Sequence, residues 1–447
     1  MTEGFGSLPR DLVGFPHGEN RPTEPCPTGC HRTSLSLRSA KADPHSLTPA
    51  PIASRSHLTA ALAALIVAGA ALAAGLAWCQ RTEHRYVHEL ATDFSDAKLQ
   101  GVALQKAAFA EDDLLLLYGS SELVKEIPNK ASEFFYDYPT GFRVFAVGKP
   151  GTTALAVLQK LASIGPELRG RKVAVSISPS SYFAEAVDPG YYAGNFSDLQ
   201  ATEIAFSTAL SHDLRRDAAR RMLEYPKTIE DNWVLHFGLA RLARDTIFDR
   251  FFYAAILPLG KVLAGINRAQ DHVEAALHIV DARIKEDAAQ HPGVKKLNWD
   301  ELFKRSEEIA KAMRAKAKKS PAPALVKRPH GSRDKVFLQT LAHADEWSDC
   351  ELLLRALREL GAKPLLLSMP VHGFDLEATG VSAEARHAFL ARLTELTAQY
   401  RVPLVYYGQH EEDPNFFYDN LDHLGAKGWV YYNQTLDDFF HDRLPTP

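Results

Sequence analysis

The sequence is poor in cysteine and carries little net charge. Four cysteines occur in 447 residues, and the formal charge at pH 7 is −4, with 51 Lys and Arg against 55 Asp and Glu. So few cysteines do not form a disulfide scaffold, and Cys26 and Cys30 have no second pair of ligands nearby to complete a zinc site. The nearly balanced charge gives no electrostatic basis for binding nucleic acid. We therefore expect neither a metal nor another cofactor.

The first 56 residues show no periodic pattern of apolar residues, and a continuous apolar run follows them. Residues 1–56 are rich in Pro, Ser, Thr, His and Arg, a composition that predicts a disordered tail. Leu58–Trp78 contains no charged residue. About 20 helical residues span about 30 Å, which is the hydrocarbon thickness of a bilayer. The sequence therefore predicts one transmembrane helix over residues 57–80.

The charges that flank this apolar run predict its orientation. Basic residues precede it against Asp43 alone, and these are Arg32, Arg38, Lys41 and Arg55. The charges that follow it are balanced. Because basic loops stay in the cytoplasm, we expect a cytoplasmic tail and an extracytoplasmic domain over residues 81–447.

Five strand-like segments alternate with helical patterns after residue 110. The strands are expected near 112–118, 142–147, 172–178, 364–369 and 402–407. This alternation predicts an α/β fold with a parallel five-stranded sheet. Between the third and fourth strands, residues 198–317 show only helical patterns, which predict a helical insertion. Its helices are expected at Ile204–Leu223, Ile229–Leu257, Gly260–Gln290 and Asp300–Ala317.

The first predicted strand ends in a serine-containing turn, Gly119-Ser120-Ser121, after four leucines and a tyrosine. Glu122–Ile127 can begin a helix directly after the turn. A serine at a strand-to-helix turn is exposed at the carboxyl end of a sheet, where its hydroxyl can reach a substrate. The alternative is that one of the two serines only caps the helix.

Other polar residues are expected at the same edge of the sheet. His423, with an Asp nearby, precedes the last helix, and the set Ser, His and Asp suits nucleophilic catalysis. Backbone N–H groups of Ser121 and Gly151 could hold a developing oxyanion. A metal site is the competing interpretation, although the spacing matches no known site. Its candidate ligands are His372, His410, His423, Asp413 and Asp422.

Four short segments resemble, in the same order, motifs of the DltD family. They are Gly119–Leu123, Ser178–Phe183, Met369–Gly373 and Phe417–Trp429. The resemblance covers roughly residues 57–441. It implies a flavodoxin-like, SGNH-hydrolase-type domain behind one N-terminal membrane helix, and a role in D-alanylation of lipoteichoic acid.

The resemblance also implies roles for individual residues. It assigns the nucleophile to Ser121, with Ser120 as the alternative, and the general base to His423. The family places the triad Asp three residues before the His, where this chain has Asn420. We favour Asp419 over Asp422, because adjacent residues in an extended segment point to opposite sides.

The implied activity is transfer or hydrolysis of a D-alanyl or other acyl ester of a cell-envelope polymer. The implied partners are a membrane-bound O-acyltransferase (DltB-like), an aminoacyl carrier protein (DltC-like) and an envelope glycan or lipid acceptor. Two alternatives remain. One is a non-catalytic accessory protein of the acyltransferase, and the other is a thioesterase that acts on the carrier protein.

Overall fold

The computed structural model describes residues 54–285, 294–317, 326–419 and 423–444. The predicted disordered tail, with Cys26 and Cys30, lies outside these residues apart from residues 54–56. The chain divides into two units, residues 1–62 and 63–447. The described part of the first unit, residues 54–62, is helical. The second unit contains the whole sheet.

The sheet has five strands, all parallel, in the order β2-β1-β3-β4-β5. The strands are Leu114–Gly119 (β1), Arg143–Gly148 (β2), Lys172–Ile177 (β3), Lys363–Ser368 (β4) and Leu404–Tyr406 (β5). The predicted parallel five-stranded α/β fold is confirmed. Strand β1 pairs with β2 on one side and with β3 on the other.

The described residues contain sixteen α-helices. Three precede it, at Ser54–Tyr86 (α1), Asp96–Leu99 (α2) and Ala103–Ala110 (α3). The first two crossovers contain Ala131–Asp137 (α4) and Ala154–Ile164 (α5). The long connection from β3 to β4 contains Pro189–Asn195 (α6), Asp198–Phe206 (α7), His212–Leu223 (α8), Trp233–Arg244 (α9), Ile247–Asp281 (α10), Trp299–Ala317 (α11), Asp334–His343 (α12) and Glu346–Leu360 (α13). The last three are Gly373–Ala378 (α14), Ala383–Tyr400 (α15) and Ala426–Phe440 (α16).

Helices cover both faces of the sheet, so every residue of β1 is buried. Leu114, Leu116 and Tyr118 belong to the core that also contains α5, α13 and α15. Leu115 and Leu117 belong to the opposite core, formed with α4 and α16. A strand covered on both faces reads as a continuous apolar run rather than an alternating one, which explains the leucine sequence of β1.

The helices between β3 and β4 break at positions that the apolar period did not predict. The helix predicted at Ile204–Leu223 is two helices, α7 and α8, because Ser211 caps a new start by accepting the Leu214 N–H at 3.3 Å. The break predicted near residue 258 is absent from α10, which continues through Pro258. The chain breaks instead at Asp245, whose left-handed backbone (φ 54°) ends α9.

Helix α1 confirms the long apolar helix predicted at residues 57–80, although it extends further. Its segment His57–Tyr86 has 30 residues and is long and apolar enough to cross a membrane. Thirty residues of α-helix measure about 45 Å, so the helix extends beyond a hydrocarbon core of about 30 Å.

A buried carboxylate joins α10 to the segment that leads into β1. Asp271 Oδ2 accepts the backbone N–H groups of Val102 and Ala103, at 2.8 and 2.7 Å, at the start of α3. Gly101 leaves room for this approach, since a Cβ there would lie 2.3 Å from Asp271 Oδ1. Burial raises the pKa of Asp271 to about 6. One side chain therefore satisfies two otherwise unpaired donors of a helix N-terminus.

Replacing Asp271 tests this connection. Asp271→Ala leaves two buried N–H groups without an acceptor, so we expect the free energy of unfolding to fall by about 1–3 kcal/mol. Asp271→Asn keeps an oxygen acceptor and is the matched control. Thermal denaturation of the purified chain measures both, and equal stability of the two variants would contradict the role of the acceptor.

The same pair of proteins tests the pH dependence. Burial holds the folded-state pKa of Asp271 at about 6, above the usual value of an aspartate. Protonation of Asp271 therefore stabilises the fold, and this contribution is lost as the pH rises through 6. Asp271→Asn does not titrate. Its stability relative to the natural protein should therefore increase between pH 4 and pH 7.

Candidate active site

The serine turn lies where β1 ends, between the ends of its two neighbours. In an open parallel sheet, ligands bind beyond the carboxyl ends of the strands, at the point where the strand order reverses. Gly119 pairs with Gly148 of β2, and β3 lies on the other side of β1. Ser120 and Ser121 follow at once, so both serines are at this switch point.

The prediction that a helix begins at Glu122 is wrong. The structure has a single 3₁₀ turn, Ser121–Leu123, and the next α-helix begins at Ala131. Pro128 disfavours helical backbone at the residue before it, and Asn129 has a left-handed φ of 70°. The segment therefore leaves the turn as an irregular loop.

A buried carboxylate sets the shape of this turn. Glu122 is 1% exposed, and its Oε1 accepts the backbone N–H of Ser120 at 2.9 Å. A Cβ on Gly119 would lie 2.3 Å from the same oxygen. The glycine is therefore required because Glu122 folds back against the backbone.

Ser121 is joined to His423 across 302 residues of sequence. Its Oγ lies 2.7 Å from His423 Nε2. On the other side of the ring, His423 Nδ1 lies 2.8 and 3.0 Å from the two carboxylate oxygens of Asp419. If Nδ1 donates its proton to Asp419, then Nε2 accepts from the Ser121 hydroxyl. The alternative that these serines cap a helix is wrong, since no such helix forms and Ser120 makes no capping bond with its side chain.

A short hairpin-like loop brings Asp419 and His423 together. Phe417 and Leu424 form an antiparallel bridge, and the Tyr418 N–H donates to the His423 carbonyl at 2.8 Å. The chain thus returns on itself, so that residues four apart face each other. Asn420 and the alternative Asp422 lie outside the described residues.

Asp419 has a cationic neighbour as well as the imidazole. Lys125 Nζ lies 3.2 Å from Asp419 Oδ2 and 5.4 Å from the centre of the Tyr418 ring. His423 is 6% exposed, whereas the side chain of Asp419 is 28% exposed. Lys125 therefore forms an ion pair with the carboxylate that faces the imidazole.

The remaining predicted residues lie around this turn. Ser120 is buried, and its N–H is already bonded to Glu122. Gly151 lies three residues beyond the end of β2, the strand next to β1. Its backbone is left-handed (φ 76°), and a Cβ there would lie 2.7 Å from the Tyr191 ring. Gly151 therefore allows a close turn at this edge of the sheet.

Among the described residues, the histidines of the alternative metal site have separate partners. His410 stacks on Phe416 at 4.3 Å, and His372 packs on Phe417 at 4.4 Å. Burial lowers the pKa of both His410 and His372. His423 is held by Ser121 and Asp419. Three metal-ligating groups do approach one another near the opposite end of β1, and these are His88, Glu111 and Asp113.

Two residues next to the serine were not predicted from the sequence. Glu122 shapes the turn and Lys125 contacts Asp419, yet both appeared only as the start of a helix. The one available signal was an acidic residue directly after a glycine-serine turn at a buried strand. No sequence pattern indicated the role of Lys125, because its partner Asp419 is 294 residues away in the sequence.

Comparisons with known proteins agree with the resemblance. A family model described as DltD protein matches residues 91–441, which include all four motifs. Protein DltD of Bacillus subtilis (strain 168) is 25% identical over 366 residues, covering 79% of this chain and 89% of the relative. Protein DltD of Staphylococcus aureus (strain NCTC 8325 / PS 47) is 23% identical over 356 residues, covering 78% and 87%. Protein DltD of Lacticaseibacillus rhamnosus is 20% identical over 390 residues, covering 82% and 86%.

Substitution of Gly119 tests the shape of the serine turn. The methyl group of Gly119→Ala must displace the Glu122 carboxylate or the backbone, so we expect the free energy of unfolding to fall by about 1–3 kcal/mol. Gly194→Ala is the control, because nothing lies within 4 Å of a Cβ at that position. Thermal denaturation compares the two variants, and equal effects would show that the turn tolerates a side chain.

Proposed function

Because the chain belongs to the DltD family, we propose that it is a membrane-anchored serine acyltransferase or esterase. Its substrates are D-alanyl, or other acyl, esters of a cell-envelope polymer, as in teichoic acid D-alanylation. The observation that carries this proposal is the unbroken hydrogen-bonded series from Ser121 through His423 to Asp419.

The geometry supports nucleophilic catalysis by Ser121. Its Oγ attacks the acyl carbonyl while His423 Nε2, at 2.7 Å, takes the hydroxyl proton. Asp419 holds the proton of Nδ1 and stabilises the imidazolium that forms. The imidazolium then protonates the leaving group, which leaves an acyl ester on Ser121. A polymer hydroxyl or water, deprotonated by His423, attacks this ester and restores the serine.

The negative charge that develops on the carbonyl oxygen needs donors. We assign this role to the backbone N–H groups of Ser121 and Gly151, which follow the ends of the paired strands β1 and β2. We also assign the domain to the SGNH-hydrolase type. Its strand order, 2-1-3-4-5, is the doubly wound order of flavodoxin-like folds, and it supports this assignment.

The proposed location follows from α1. An apolar helix with a basic N-terminal flank would anchor the chain once, with residues 81–447 outside the cytoplasm and residues 198–317 as a helical insertion. There the domain would meet a membrane-bound O-acyltransferase (DltB-like), acyl groups from an aminoacyl carrier protein (DltC-like), and the envelope glycan or lipid acceptor.

The two alternative functions require different residues and a different location of the active site. An accessory protein of the acyltransferase does not require Ser121 or His423, so it should keep its function when both are replaced. A thioesterase for the carrier protein requires the active site in the cytoplasm, whereas the basic flank of α1 favours the opposite side. The hydrogen-bonded series favours the enzyme over the accessory protein.

Labelling of the serine tests the nucleophile. A fluorophosphonate should form a covalent adduct with Ser121 in the natural chain and with Ser120→Ala, but not with Ser121→Ala. In the bacterium that encodes this chain, Ser121→Ala should lower the rate of ester formation by about 10³-fold or more. Unchanged envelope D-alanyl ester, at normal levels of the variant protein, would refute the proposal.

Paired substitutions test which carboxylate orients the imidazole. Asp419→Asn cannot hold the Nδ1 proton in the same way, so we expect the rate of fluorophosphonate labelling to fall by about 10²–10⁴-fold. Asp422→Asn should label at the natural rate. The reverse result would assign the third position to Asp422.

A further inference from the structure

Helix α10 carries an apolar strip that the protein does not cover. Five apolar residues recur along it at intervals of seven, and each is 42–52% exposed. These residues, here called the α10 strip, are Phe252, Leu259, Ile266, Val273 and Val280. An interval of seven residues is two helical turns, so the strip stays on one side of the helix over about 42 Å.

The exposed apolar surface widens toward the N-terminal end of α10. Ile247, Phe248 and Phe251 are 85%, 77% and 70% exposed. Trp233, on the adjacent helix α9, is 63% exposed. The opposite side of α10 is buried in the domain, for example at Ala275. A contiguous apolar surface of this length in a soluble domain indicates a site of interaction.

One contact places α10 beside the end of the membrane helix, and a second joins α10 to the segment that follows α1. His272 Nδ1 lies 2.8 Å from Glu83 Oε1, and His278 Nε2 lies 3.1 Å from Asp93 Oδ2. Glu83 is five residues beyond Trp78, where the uncharged run ends. Five helical residues rise about 7.5 Å, which is the depth of the lipid headgroups. The C-terminal part of α10 is therefore level with the surface of a bilayer that holds α1.

Basic side chains lie beside the strip, together with the exposed Glu274. Lys261 is exposed, and Arg268 and Arg250 are exposed as well, although they pair with Glu203 and Asp245. Lys and Arg beside exposed aromatic and aliphatic residues are typical of helices that lie in the membrane interface.

We propose that α10 lies in the outer membrane–water interface beside the anchor, with the α10 strip in contact with lipid acyl chains. This inference rests on the proposed membrane anchoring by α1. A helix of a protein partner would be the alternative occupant. We favour lipid because the apolar surface at residues 247–255 is wider than the narrow stripe of a coiled coil. The contact of His272 with Glu83 also ties α10 to the end of the anchor.

Photo-crosslinking of the full chain tests the proposal. A benzophenone amino acid, p-benzoylphenylalanine, replaces Leu259 or Phe251 in separate variants, and each is reconstituted in phosphatidylglycerol/phosphatidylethanolamine vesicles. Irradiation should give lipid adducts, detected by mass spectrometry, several-fold above those of the same substitution at Glu395. Glu395 lies on α15, whose helical neighbours are α12, α13 and α14 rather than α10.

A fourth variant tests separately whether α1 spans the bilayer, so that an error in this inference can be told from an error in the proposed membrane anchoring. The same substitution at Leu72, which is 62% exposed on α1, should give lipid adducts whenever α1 spans the bilayer. Adducts at Leu72 with none above the Glu395 level on α10 would overturn the inference alone. No adducts at Leu72 would overturn the anchor and the inference with it.

Irradiation of the same variants in cells tests the alternative occupants. Lipid adducts at position 259 in cells would support the proposal, as they would in vesicles. A crosslink to another protein in place of lipid would overturn it and identify a helical partner. A crosslink between two copies of the chain would overturn it in favour of a dimer.

Discussion

The hydrogen bond between Ser121 and His423 is the constraint on which the site depends, because it joins the end of an inner strand of the sheet to the C-terminal part of the chain. Neither residue can be placed by its own segment alone. Ser121 is fixed by the end of β1, and His423 is fixed by the bridge between Phe417 and Leu424. The 2.7 Å separation is therefore a product of the whole α/β domain rather than of a local motif.

Packing on one face of the sheet holds these two segments in register. Leu115 and Leu117 of β1 belong to the same core as Leu424 and Trp429, which lie on either side of the start of α16. Movement of α16 would therefore shift His423 relative to the end of β1. The bonds around the serine are short and polar, but an apolar core sets their positions. This is why a serine, a histidine and an aspartate from distant segments meet at hydrogen-bonding distance.

The sequence predicted the sheet well and the loops poorly, for physical reasons. Strands buried on both faces, such as β1, form continuous apolar runs that can be recognised without tertiary information. The contact of Asp419 with His423 accompanies the bridge between Phe417 and Leu424, and no periodic pattern in the sequence encodes such a contact. Glu122 was missed for the same reason, since its role appears only once its carboxylate folds back against Gly119.

The polar site and the apolar core affect the protein in different ways. Ser121 and Asp419 lie at the edge of the sheet, and the Asp419 side chain is 28% exposed, so their replacement removes few buried contacts. The residues that hold them in place, such as Glu122 and Trp429, are almost fully buried. Substitutions of the first kind should change reactivity with little loss of stability, whereas substitutions of the second kind should reduce both. A variant that loses reactivity while its unfolding is unchanged therefore reports on the chemistry of the site itself.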